Sequence, residues 1–167
     1  MKFSSNHEGN SACDSKARIL NRRRCRRGAS LVEAGIILSV FLTFVLGTLD
    51  FALGVFKYNI ASGAARQGAR LASVHGSLAP SSMGQWGPAA YSGKGNDTNA
   101  IAQAIKPTLV GLDSSKVTIQ VQWLDGSNDF EKRVRVTVTT PYKPIMTSIF
   151  GNVTFNLTAT STVPIAH

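Results

Sequence analysis

Cysteine is nearly missing from this chain. Cys13 and Cys25 both precede residue 28, so no disulfide can staple anything that follows. There is no Cys-x-x-Cys pair, no His/Cys cluster at metal-ligand spacing and no glycine-rich phosphate loop. His7, His75 and His167 are scattered and read as lone surface histidines, so no cofactor and no metal are expected. Because no Ser/His/Asp, paired-carboxylate or Cys/His arrangement has supporting context, the chain is not expected to be an enzyme. Acidic residues are also scarce, 9 against 18 Lys and Arg, which leaves a net charge of +9. That excess would suggest nucleic acid if it were spread over a folded face. It is concentrated instead in Lys2, Lys16, Arg18, Arg22, Arg23, Arg24, Arg26 and Arg27, immediately before an apolar run, and no nucleic-acid partner is expected.

Residues 1–28 are basic, rich in Ser and Asn and poor in apolar side chains, which predicts an unstructured cytoplasmic leader that is removed. From Ala34 to Phe56 the sequence AGIILSVFLTFVLGTLDFALGVF carries one charge, Asp50. As a helix this stretch is about 34 Å long, enough to cross a hydrocarbon core, and the positive flank predicts an N-terminus inside. A secretory signal peptide fits less well, because the apolar pattern runs on past Asp50 into KYNIASGAARQGARLAS without a turn residue. Alanines through residues 57–73 extend the helix as a stalk, so residues 29–73 form one anchor and stalk with its span at about 34–56.

Residues 74–97 bring clustered Gly, Pro, Ser and Asn and predict an irregular linker. Within 98–167, NAIAQAIKPTLVGL reads as a short amphipathic helix interrupted near Pro107, with Asp97 or Thr98 as its cap. The period then changes to two. Val117, Ile119, Val121 and Trp123 form one alternating set, Val134, Val136 and Val138 a second, and Val153, Phe155, Leu157 and Ala159 a third. LDGSNDFEKR supplies the hairpin between the first two, and Pro141 and Pro144 predict a long connection before the last. The fold class expected is α+β: a long transmembrane helix, a short second helix and a three-stranded antiparallel sheet packed on the outer half of the long helix. Trp86, Tyr91 and Trp123 raise a base-stacking platform, but core packing and linker anchoring are the favoured reading. The NDT, NVT and NLT tripeptides are weak glycosylation matches in so Asn/Thr-rich a chain.

Three features of the helix call for a reason. In RRGASLVEAG a carboxylate, Glu33, stands at the edge of the apolar run. If the chain is cut between Gly28 and Ala29, the new amine lies one turn from Glu33; among identical helices shifted along their axes that carboxylate meets a neighbour's charged N-terminus and sets register. The plainer reading is an acidic residue at a helix N-terminus, favoured by the dipole. Asp50 lies about 25 Å further along the helix, where a carboxylate needs a partner or water. Lys57 shares its face but is about 10.5 Å away, so the candidates are a basic residue on another subunit or exposure to interfacial water. Finally, Gly35, Ser39, Thr43 and Gly47 recur every four residues and form a small-residue stripe of the kind that lets helices approach closely in lipid.

Gly28 followed at the fifth residue by Glu33 and then the apolar run resembles the prepilin peptidase recognition pattern of type IV pilins and pseudopilins. The wider block, residues 28–73, with its Val-Glu start, a late Asp-Phe and an AARxGAR box, is similar to the TadE-like family of tight adherence (Tad) pilus assembly proteins. The resemblance implies Gly28 before the scissile bond, Ala29 as the new N-terminus and Glu33 as the recognition and assembly glutamate. It places the stalk box on Ala64, Ala65, Arg66, Gly68, Ala69 and Arg70. The partners it implies are a prepilin peptidase and other pilus assembly subunits or pseudopilins, with membrane lipid around the span. The location expected is the bacterial inner membrane, single-pass, with the C-terminal domain in the periplasm. Two rivals make opposite demands: an unprocessed membrane-anchored binding module needs no Glu33, and a secreted hydrolase needs cleavage after the span.

Overall fold

The computed structural model describes residues 10–146, 151 and 153–166, with side chains from Ser30 onward. It falls into two compact units, Met1–Leu46 and Gly47–His167. The first helix, α1, runs Asn10–Val74. It therefore reaches back through the basic segment that composition marks as unstructured. Arg, Lys, Ala and Leu are good helix formers, and extending an existing helix adds a hydrogen bond for each residue fixed.

In the first unit the described part of α1 is a helix with apolar side chains facing outward, among them Leu31, Ile36, Val40 and Phe44. A helix satisfies its own backbone groups, so such a surface is compatible with hydrocarbon. Among the described residues this is the one helix long and apolar enough to cross a membrane, within Ser30–Val74.

In the second unit the same helix turns amphipathic. Ala61, Ala64, Ala65, Gly68, Ala69 and Ala72 are buried at helical spacing, whereas Gly63, Arg66 and Arg70 are exposed. This thin face shares one core with a four-stranded antiparallel meander: β1 (Tyr91–Lys94), β2 (Thr118–Trp123), β3 (Arg133–Tyr142) and β4 (Phe155–Pro164), in the order β1-β2-β3-β4. The inward side chains of β2 and β3 are the valines and isoleucine whose alternation marks them in the sequence. Ile119, Val121, Val134, Val136 and Val138 are fully buried, each contributing about 1.5–3 kcal/mol through removal from water.

The sheet has four strands rather than the three expected. β1 lies in the stretch read as linker, and its Tyr91 pairs with Val121 and its Lys94 with Thr118. A four-residue edge strand of sequence YSGK has too little alternation to declare itself. β4 also differs from expectation: Val153 and Phe155 are exposed, and the burial falls on Ala159 and Ile165. Pro141 lies inside β3, opposite Asn156 of β4. Beyond Thr139 β3 no longer pairs with β2, so a residue without an N–H is tolerated there.

The predicted hairpin is present between β2 and β3. The Leu124 N–H donates to the Arg133 carbonyl at 2.9 Å, and Gly126 takes the positive φ of 73° that the turn requires. Asp125 accepts from the Arg133 guanidinium at 2.8 and 3.2 Å and from its backbone N–H at 2.9 Å, which holds its carboxyl at about 2.

The second helix, α2, is Ala100–Ile105 and tightens into a 3-10 turn at Lys106–Thr108 as Pro107 is reached. Its cap is Asn99 rather than Asp97 or Thr98, with Oδ1 accepting the Ile101 N–H at 2.9 Å. Asp97 is engaged elsewhere. It accepts the Lys94 N–H at 2.8 Å and the Tyr91 hydroxyl at 3.2 Å, and burial together with that carboxylate raises the Tyr91 pKa.

Trp86 and Trp123 are core residues, which agrees with packing rather than a stacking platform. His75 is not the lone surface histidine expected: its ring stacks on Trp86 at 4.2 Å between centroids, and its Nδ1 donates to the Gly84 carbonyl at 2.8 Å. His7 and His167 lie outside the described residues. The buried Asn128 amide donates to the Trp86 carbonyl at 3.1 Å, tying the linker to the β2–β3 hairpin. Gly87 is required at this corner, because a Cβ there would overlap the Trp123 indole and its φ is 87°.

Candidate functional site

Asp50 is the second unit's most informative polar residue. It sits on α1 among large apolar neighbours, yet it is only 6% exposed. Its Oδ1 accepts the Ile145 N–H at 2.8 Å and its Oδ2 accepts the Met146 N–H at 2.7 Å. Ile145 and Met146 are helical and directly follow Pro144, and the first N–H groups of a helical segment have no partner within it. The Asp50 carboxylate supplies both acceptors from another element, acting as a cap delivered across the fold. One residue thus compensates its own charge and satisfies the backbone N–H groups of Ile145 and Met146.

A second contact fixes the same junction. The Tyr142 hydroxyl, at the end of β3, donates to the Asp50 backbone carbonyl at 2.7 Å. Burial, reinforced by the Asp50 charge, pushes the Tyr142 phenol upward and keeps it a donor. Lys57 does not reach back to Asp50. Its Nζ lies 5.2 Å from the Tyr142 ring centroid, in cation–π range. To the two partners expected for Asp50, a basic residue on another subunit or interfacial water, the fold adds a third kind, backbone N–H groups of its own chain. The sequence signal was the Pro-Tyr-x-Pro of residues 141–144, whose bearing on Asp50 depends on a contact more than ninety positions away.

The stalk box has a packing role. Ala64, Ala65, Gly68 and Ala69 are buried against the sheet and α2, while Arg66 and Arg70 face outward. Gly68 is the closest approach: a Cβ there would lie 2.8 Å from Ile105 Cδ1 and 3.2 Å from Val136 Cγ1. No side chain larger than hydrogen fits without moving both neighbours.

The remaining candidate residues are not gathered into this junction. Gly28 and Ala29 lie on α1 before the described side chains, so the expected cleavage point itself lies outside them. Glu33 is exposed, as are Gly35, Ser39, Thr43 and Gly47. The Ser39 hydroxyl donates to the Gly35 carbonyl and the Thr43 hydroxyl to the Ser39 carbonyl, each at 2.8 Å. These bonds hide the polar atoms of the stripe against the helix backbone. A Cβ at Gly35 or Gly47 would meet nothing within 4 Å.

No curated protein and no solved structure matches the chain. The family comparison is positive. Residues 28–70 match the TadE-like protein family, from the glycine of the pilin-like motif through the last arginine of the stalk box, and the family that the sequence resembles is the family found.

Proposed function

We propose that this chain is a pseudopilin-like structural component in the assembly of a Tad-type pilus. It is cut by a prepilin peptidase between Gly28 and Ala29 and packs through its N-terminal helix against other pilus subunits. The observation that carries this reading is the family match itself, which starts at Gly28 and includes Glu33, Asp50 and the whole stalk box. The exposed apolar helix supports a single span, N-terminus inside, in a bacterial inner membrane, with the sheet domain in the periplasm. Glu33 and the Gly35, Ser39, Thr43 and Gly47 stripe are the surfaces offered to neighbouring helices, since both are exposed on the isolated chain. In this role the protein is a peptidase substrate and a structural subunit, not an enzyme.

The test is the N-terminal residue and mass of the protein extracted from membranes of its native cells. A chain that begins at Ala29 is expected, and Glu33→Ala should impair assembly. An intact N-terminus in cells that process their other pilins would refute the proposal and favour an unprocessed, membrane-anchored binding module.

A further inference from the structure

Beside the Asp50 junction, α1 and the start of β4 bound an open groove of 510 Å³. Its walls are Phe51, Val55 and Tyr58 from one face of α1, with Tyr142, Phe155 and Leu157 opposite. Gly54 also lines the groove, where the missing side chain keeps it open. Phe51, Phe155 and Tyr58 are about half exposed or more, so among the described residues apolar surface faces outward along the channel. We propose that this groove holds an acyl chain of an anionic phospholipid, with the Lys57 ammonium taking the phosphate at its rim.

Three observations select that occupant. The lining is almost entirely apolar, and its one acid, Asp50, has both carboxylate oxygens occupied by backbone N–H groups. An acyl chain suits such a lining, because it has no hydrogen-bonding groups to satisfy. The groove also opens along a stretch of α1 whose other side chains, Leu49, Leu53 and Phe56, are exposed and apolar, as a lipid-facing helix requires. Charge supplies the third argument. Lys57 stands over the Tyr142 ring that lines the groove, so a cation beside the groove complements a phosphate. This inference rests on the membrane-anchored reading proposed above.

The experiment places the photoreactive benzoylphenylalanine at position 155 of the full chain, reconstituted in vesicles of mixed phosphatidylglycerol and phosphatidylcholine. Adduct mass after irradiation identifies what fills the groove. Phosphatidylglycerol adducts are expected in about fivefold excess over phosphatidylcholine, the discrimination that one lysine near an anionic surface provides. Lys57→Gln should bring the two to parity. Gly54→Leu, which fills the channel, and Leu157→Glu, which puts a charge in its half-exposed wall, should each remove the adduct. Equal adducts from both lipids, adducts indifferent to these variants, or adducts to a second copy of the chain would each overturn the proposal. Flotation with the vesicles separates the two readings. A chain that floats but gives no lipid adduct at 155 refutes the groove alone, and a chain that does not float refutes the membrane anchor and the groove with it.

Discussion

Replacing Asp50 with Ala removes the acceptors of the Ile145 and Met146 N–H groups together. A hydrogen bond to a charged group contributes about 1.5–3 kcal/mol, and loss of a side-chain cap costs about 0.5–2 kcal/mol. The two N–H groups are only partly buried, so water recovers some of the loss. The expected cost of opening the β3–β4 connection is therefore about 2–4 kcal/mol. Hydrogen exchange reads this locally: the Ile145 and Met146 amides should exchange roughly 30- to 1,000-fold faster in the variant. Asp50→Asn keeps one acceptor oxygen and should fall between wild type and Ala. Val136, in the middle of the sheet core, is the control for global unfolding. If the two capped amides change by less than about threefold, or if Val136 accelerates as much as they do, the carboxylate is not a local latch and the reasoning fails.

Two glycines of the stalk should respond in opposite directions. Gly68→Ala drives a Cβ against Ile105 and Val136, a net loss of about 0–2 kcal/mol after the gain in helix propensity, and Gly68→Leu should cost more than about 3 kcal/mol. Gly63→Ala, with nothing within 4 Å, should instead stabilise by about 0.5–1 kcal/mol. Urea unfolding followed by the fluorescence of the buried Trp86 and Trp123 measures all three. At the hairpin, Asp125 titrates at about 2 instead of 3.8 because Arg133 holds its charged form. Its contribution to stability is therefore present above 3.8 and is lost as pH falls toward 2. An NMR titration should show the shift, and Arg133→Gln should return the carboxyl toward 3.8.

What could be read from the sequence was whatever has a local period. The apolar run, the alanines of the stalk and the valine alternation of β2 and β3 are visible because one face of each element meets one kind of environment. β1 was hidden because four residues at a sheet edge carry too little pattern, and its place is set by β2 rather than by its own composition. The Asn99 cap was missed because Asp97, Thr98 and Asn99 are all competent caps, and only the tertiary engagement of Asp97 with Tyr91 and Lys94 decides among them. Gly68 illustrates a further limit. Its place in the family box was clear, but its reason is the positions of Ile105 and Val136, which no spacing within the helix encodes.

The two carboxylates of the apolar helix have different surroundings. A charge in such a setting must be compensated, and reasoning along the helix alone treats Glu33 and Asp50 as the same problem. The fold separates them. Asp50 is buried, and each of its carboxylate oxygens accepts a backbone N–H of its own chain. Glu33 is exposed. Asp50 therefore fastens Tyr142, Ile145 and Met146 to the helix, a use of charge that only the tertiary fold reveals, whereas Glu33 keeps its carboxylate at the surface.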